Sequence, residues 1–248
     1  MNTPPTHLAH APGRLLLVPV SLSEQDWPGF LPAQAWQEVS HIRHFVVETP
    51  KAARAQLKRL AHPGPIAELD IQALPAEAGQ DALDALLRPA LAGHDIGLMS
   101  DAGCPAVADP GARLVARAHE AGIRVTPLVG PSSILLALMG SGLNGQSFAF
   151  NGYLPVQDGA RDTALRTLED ESRRLSRTQI FIETPYRNER LFAALLKVCR
   201  PDTRLCVARN LTGSGEFILT RSIAQWRKHT PPELARQPAL FLLLGAGR

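Results

Sequence analysis

Long apolar runs are missing from this 248-residue chain. None approaches the roughly 20 residues that a bilayer-spanning helix needs, so a membrane-embedded protein is not expected. The opening MNTPPTHLAHAPGR has neither a basic start nor an apolar core, which argues against a secretory signal. Cysteine is scarce. Cys104, Cys199 and Cys206 are scattered and odd in number, which speaks against a disulfide framework and for a reducing, cytoplasmic setting. Zinc spacing is absent as well. His41 and His44 stand close together, but a lone pair of ligands falls short of a tetrahedral set. There is no internal repeat and no low-complexity tract. Glycine is missing from the turn after the first apolar run, where Ser21-Leu22-Ser23-Glu24 stands. That disfavours the glycine-rich phosphate loop of the usual dinucleotide fold.

What is present is ample apolar material, 45% of the residues, enough to bury one large core or two modest ones. The most informative stretch covers residues 96–133. An apolar strand at 96–99 runs into the polar turn Ser100-Asp101-Ala102-Gly103-Cys104-Pro105. Asp109-Pro110-Gly111 follows, then an amphipathic helix at 112–121 stopped by Gly122. A second strand at 123–128 ends at Gly130-Pro131-Ser132-Ser133, and a helix begins at 134. Strand, turn, helix, strand, turn is one βαβ unit, and ligands bind outside the carboxyl ends of such strands. Gly103 permits close backbone approach, and Asp101 can accept from a ligand hydroxyl or amine. Taken singly, each of these residues has a plainer reading as turn punctuation, with Ser132 and Ser133 as helix caps.

The remaining chain reads as alternating strands and helices. Strands are expected at 15–20, 44–47 and 66–69, with helices at 32–40, 51–60 and 80–92, the last bent at Pro89. A short strand at 148–150 precedes Asn151-Gly152-Tyr153-Leu154-Pro155, which reads as a linker. The domain boundary is placed near residue 150, giving domains 1–150 and 151–248. In the second half, helices are expected at 159–176, 188–198 and 223–228, and strands at 179–183, 205–209, 217–221 and 239–244. Charge divides with the halves. Residues 1–150 carry 10 basic and 13 acidic side chains, and residues 151–248 carry 16 and 10. The basic half, dominated by arginine, suggests a polyanionic partner, RNA first, with a solvated arginine-rich surface as the equal alternative.

Four segments together resemble a known family: LMSDAGCPAVADPG (98–111), PLVGPSSILLAL (127–138), FNGYLP (150–155) and FIETPYR (181–187). They are similar to the tetrapyrrole methylase superfamily of S-adenosylmethionine-dependent methyltransferases. Within it they most resemble the ribosomal RNA small subunit methyltransferase I group, which methylates a cytidine ribose 2′-hydroxyl. The resemblance extends over residues 15–244. It implies a two-domain α/β fold, with a mainly parallel N-terminal sheet flanked by helices, a C-terminal α/β domain and a ligand cleft between them. It implies S-adenosylmethionine as cofactor and a homodimer as the assembly. Carried over by position, Asp101, Ala102, Gly103, Cys104 and Val107 would touch the donor. Ser132 and Ser133 would lie along it, and Glu183, Asn210 and Leu211 would close over it.

The acceptor side departs from the family. A Pro-x-Gly-Asn turn after the first strand is replaced around Ser21-Leu22-Ser23-Glu24. A Glu-Asp-Thr-Arg segment becomes Glu48-Thr49-Pro50-Lys51, and an Arg-Glu-Leu-Thr-Lys segment becomes Arg209-Asn210-Leu211-Thr212-Gly213. A divergent paralogue is therefore expected. Methyl transfer from a sulfonium needs alignment, and a hydroxyl acceptor also needs a base. Glu48 and Lys51, at a strand end on the same edge as Asp101, are the catalytic candidates; Glu48 is equally readable as a helix-start acid. Arg187 suits a phosphate or carboxylate, with a surface ion pair as its alternative, and Tyr186 suits base stacking. Cys104 lacks a neighbouring His and is not read as a nucleophile. Three activities follow: methyl transfer to RNA, methyl transfer to a small molecule or tetrapyrrole, and donor binding without catalysis.

Overall fold

The computed structural model describes residues 11–247. The opening residues 1–10, in which no signal core is read, lie outside it. Within the described residues no helix is long and apolar enough to cross a membrane. The chain divides into two compact units, Met1–Pro131 and Ser132–Arg248.

The first unit is built on five parallel strands. In chain order they are β1 (Arg14–Leu17), β2 (His44–Val47), β3 (Asp70–Ala73), β4 (Ile96–Met99) and β5 (Arg124–Pro127), and across the sheet the order is β3-β2-β4-β1-β5. Helices α1 (Ala33–Ser40), α2 (Pro50–Arg59), α3 (Gln80–Leu91) and α4 (Ala112–Glu120) connect them. Successive side chains of a strand point to opposite faces. Leu16, Phe45, Val47 and Met99 meet Ala35 and Val39 of α1 and Ala53 and Leu57 of α2. Leu15, Val46, Ile96 and Leu98 meet Leu83, Leu87 and Ala90 of α3 and Leu114 and Ala118 of α4. Both faces are covered, which is why β4 and, after Arg14, β1 are continuously apolar in sequence. Gly97 lies within β4 because a Cβ there would stand 2.8 Å from the Phe45 ring.

Two expectations for this unit need correction. The strand expected at 66–69 is a short 3-10 turn at Ile66–Glu68, and β3 begins at Asp70. Pro65 presets a helical first turn, and the Glu68 N–H donates back to the Pro65 carbonyl at 3.0 Å. β3 is an edge strand with little burial, so its sequence carries no apolar alternation. The first strand ends at Leu17, and Val20 instead joins an isolated bridge.

The second unit also has five strands: β6 (Phe148–Tyr153), β7 (Thr178–Ile182), β8 (Arg204–Arg209), β9 (Phe217–Ser222) and β10 (Ala239–Leu244), ordered β6-β7-β10-β8-β9. β6 and β7 are parallel and every other pair is antiparallel. Helix α5 (Ser133–Ser141) covers one face. Helices α6 (Asp158–Leu175), α7 (Asn188–Val198) and α8 (Ile223–Trp226) cover the other. β10 is central and wholly buried. Its Leu240 and Leu242 face α5, while Ala239, Phe241 and Leu243 face the other layer. Each such side chain contributes roughly 1.5–3 kcal/mol of burial.

The stretch read as a linker is the second half of β6. Gly152 takes a left-handed φ of 62°, and the pairing with β7 shifts between Phe150 and Tyr153, so the strand continues through an irregularity. The expected boundary near residue 150 therefore falls inside β6, and the contacts separate the units at Pro131/Ser132.

Candidate functional site

Strand order locates the first unit's crevice. The chain leaves β2 for β3 on one side and leaves β4 for β5 on the other, so the connections diverge between β2 and β4. Ligands of open α/β sheets bind at such a point, outside the carboxyl ends. The loops that follow β1 and β4 are tied together at this edge. The Val20 N–H donates to the Gly103 carbonyl at 2.9 Å, and the Gly103 N–H donates to the Val20 carbonyl at 3.2 Å. Gly103 is buried with φ 72°, and a Cβ on it would stand 3.2 Å from a Leu22 methyl. Ala106 (φ 65°), Ala108 (φ 63°) and Gly111 (φ 135°) follow in the same turn. Left-handed alanines cost roughly 1 kcal/mol or more each, and such strain concentrates at ligand-binding turns.

Three acidic side chains meet at this edge. The Glu48 carboxylate accepts from the Asp101 N–H at 3.1 Å, and Asp101 accepts from the Thr49 hydroxyl at 2.8 Å. Asp109 stands near both. Burial, together with the charges of Glu48 and then Asp101, pushes its carboxyl up to about 6, against a hydrogen bond from Ser100. Lys51 is exposed in the first turn of α2, and its side chain makes no hydrogen bond or ion pair among the described residues. No group of three or more His, Cys, Asp or Glu among the described residues could hold a metal ion. Cys104 donates from Sγ to the Pro131 carbonyl at 3.2 Å; burial and the Asp109 charge push its thiol up, away from thiolate reactivity. Ala102 and Val107 are exposed on the turn.

The second unit has its own edge. β7 and β8 both run antiparallel to β10, so their carboxyl ends lie on the same side of the sheet. Glu183 is buried there. Its Oε1 accepts from the Thr184 N–H at 2.7 Å and from Arg187 Nε and Nη2 at 2.9 and 2.6 Å. The Arg187 fork is thus engaged within the protein. Tyr186 is 83% exposed. Asn210 is left-handed at φ 49°; its backbone N–H donates to the Pro238 carbonyl at 3.0 Å and its Nδ2 to Gln237 Oε1 at 2.6 Å. Leu211 is packed in the core beside α5. Ser132 occupies the N-cap position of α5 and Ser133 its first residue, yet no side-chain cap bond forms. Their hydroxyls make no hydrogen bond among the described residues, so capping does not explain them.

Sequence reasoning passed over Asp109 and Gln237. Asp109 lay in a quoted motif but drew no role, because its perturbation arises from residues 61 and 8 positions away, Glu48 and Asp101. Gln237 carries no local signal at all. It precedes β10 and acts on a loop contributed by β8.

The family model described as tetrapyrrole (corrin/porphyrin) methylases matches residues 34–226. A protein named ribosomal RNA small subunit methyltransferase I from Xylella fastidiosa is 34% identical over 188 residues, 76% of this chain and 67% of the relative. Its counterpart from Vibrio cholerae is 38% identical over 146 residues, 59% of this chain and 49% of that protein, so the match spans about half of that relative's length. Among solved structures, the methyltransferase CobJ superposes with a TM-score of 0.60 at 17% identity, covering 94% of this chain and 95% of that one. The uroporphyrin-III-C-methyltransferase from Thermus thermophilus does so with 0.52 at 20% identity, covering 94% and 92%. These two share the fold. With the family model spanning most of both units, the chain belongs to the tetrapyrrole (corrin/porphyrin) methylase family.

Proposed function

We propose that this chain is an S-adenosylmethionine-dependent methyltransferase acting on ribosomal RNA, at a ribose 2′-hydroxyl. One observation carries the reading: the bare, left-handed Gly103 turn follows β4, where the β2 and β4 connections diverge, beside three carboxyl groups. S-adenosylmethionine supplies a methyl group on a positively charged sulfonium. Glu48, Asp101 and Asp109 offer acidic groups to such a cation. Asp101 has Oδ2 taken by Thr49 and keeps Oδ1 for a ligand amine or hydroxyl. Ala102, Gly103, Cys104 and Val107 provide the surface against which the donor rests, and the Ser132 and Ser133 hydroxyls remain able to donate. Glu48 keeps Oε1 to take a hydroxyl proton, and the Lys51 ammonium meets a phosphate. Tyr186 offers an exposed ring for stacking on a base. Glu183, Asn210 and Leu211 are the candidate donor residues of the second unit, with Arg187 holding Glu183 in place.

The names of the relatives favour RNA as acceptor. The basic second half agrees, although many of its arginines are paired internally. Arg166, Arg174 and Arg236 are exposed and in no ion pair among the described residues. Three free cysteines fit the cytoplasm, and a homodimer is part of the same proposal. Incubation with methyl-labelled donor and small-subunit ribosomal RNA tests the reading: label should enter RNA as a ribose methyl, and filter binding should weaken steeply with salt. RNA that stays unlabelled and unbound would sink it. A small-molecule or tetrapyrrole acceptor is the second reading, favoured by Leu22 standing against Gly103 where the family carries a glycine-containing turn. Label recovered only in low-mass compounds of a cell extract would select it.

A further inference from the structure

Arg209 ends β8 on the same sheet edge as Glu183. Its side chain is only 17% exposed, yet its guanidinium makes no hydrogen bond among the described residues. Nε is buried and without a partner. The nearest carboxylate, Glu233 Oε2, stands at 3.9 Å on a side chain that is 74% exposed, which is too long for a hydrogen bond. The remaining support is the Phe217 ring, 5.5 Å from the guanidinium carbon. Arg187 and Arg227 of this unit behave differently. Arg187 places two donors on Glu183, and Arg227 donates to the Leu196 and Cys199 carbonyls at 2.8 and 3.0 Å. A buried guanidinium Nε without a hydrogen bond is costly, and a planar fork in that state is matched by an oxyanion. The backbone beside it is strained, with Asn210 at φ 49° and Thr212 at φ 67°, as ligand clamps are.

We infer that Arg209 binds an oxyanion, receiving it through the fork while Phe217 holds the guanidinium plane. Resting on the methyl-transfer reading above, two ligand groups have this chemistry: the carboxylate at the methionine end of the donor and a phosphodiester of the RNA acceptor. Glu233 competes weakly for the same donors.

The full-length chain and its Arg209→Gln, Arg209→Lys and Glu233→Gln variants would be titrated calorimetrically with S-adenosylhomocysteine. The same set would be titrated by filter binding with small-subunit ribosomal RNA over a salt series. Arg209→Gln should lose about tenfold or more for one ligand and less than about twofold for the other, the loss typical of a charged hydrogen bond. A loss for S-adenosylhomocysteine assigns the carboxylate. A loss for RNA, with a salt slope shallower by about one, assigns the phosphate. Arg209→Lys should recover part of the loss, since the charge returns without the fork. Glu233→Gln, a change on an exposed side chain, should tighten the same ligand about twofold by removing the competing charge. Equal losses for both ligands with no recovery in Arg209→Lys would mark a purely structural arginine and overturn the inference. So would a wild type that binds both ligands beside an Arg209→Gln variant that binds them equally well. A wild type that binds neither removes the methyl-transfer reading and the inference together.

Discussion

Asp109 and Glu183 are acidic side chains near the carboxyl ends of two different sheets, and their surroundings are opposite. Glu183 is met by a two-donor arginine fork and a backbone N–H. Asp109 faces two further acids, and burial pushes its carboxyl up to about 6. The first arrangement holds a loop in shape. The second keeps charge uncompensated at a glycine turn, which suits a cationic ligand and works against stability. The contrast separates a carboxylate paired within the protein from one left uncompensated in a single chain.

The comparison can be broken most forcefully at Arg187. Arg187→Ala strands the buried Glu183 charge and should lower unfolding stability by about 3 kcal/mol, read from the denaturant midpoint at neutral pH. A loss below about 1 kcal/mol would mean that the backbone N–H suffices. Gly103→Ala comes next. It forces a side chain to φ 72° against Leu22 and should cost about 1–2 kcal/mol in thermal denaturation. Binding of S-adenosylhomocysteine should weaken about tenfold or more on the proposed reading, whereas unchanged affinity would remove Gly103 from the donor site.

Asp109→Asn sharpens the contrast with the opposite sign. An acid whose folded pKa is raised from 3.8 to about 6 destabilises the fold progressively as pH rises through that window, and by a constant amount above it. The Asn variant should gain about 1 kcal/mol at pH 7.5, a value discounted for the partial exposure of the carboxyl, and the gain should vanish near pH 4. A melting-temperature series over pH checks it, and a gain that does not depend on pH would refute the acidic-cluster account. Gln237→Leu should have the smallest effect, about 1 kcal/mol from the lost acceptor of Asn210 Nδ2. Gln237→Glu, which keeps an acceptor there, should restore most of it.

Legibility followed the range of the interactions. Helix α4 and strand β10 were readable because their patterns are local: an amphipathic run stopped by glycine, and a short apolar run buried on two faces. The turn around Gly103 was legible through its glycine and its place after β4. Two of the edge strands, β3 and β6, were not. β3 is barely buried, and β6 continues through a left-handed Gly152 that reads as a break. The unperturbed look of Asp109 and Gln237 in sequence has the same origin, since their partners come from other strands.

The sequence by itself determined which segments alternate as strands and helices, and which turns carry glycine, acid and serine. Periodicity and turn chemistry act over a few neighbouring residues, and that is enough for those decisions. Only the tertiary structure decided that β2 and β4 lie side by side, so that Glu48, Asp101 and Asp109 gather at one edge. It alone left Arg209 Nε buried without a hydrogen-bond partner. Strand order and desolvation depend on which distant segments become neighbours, and no local pattern encodes that.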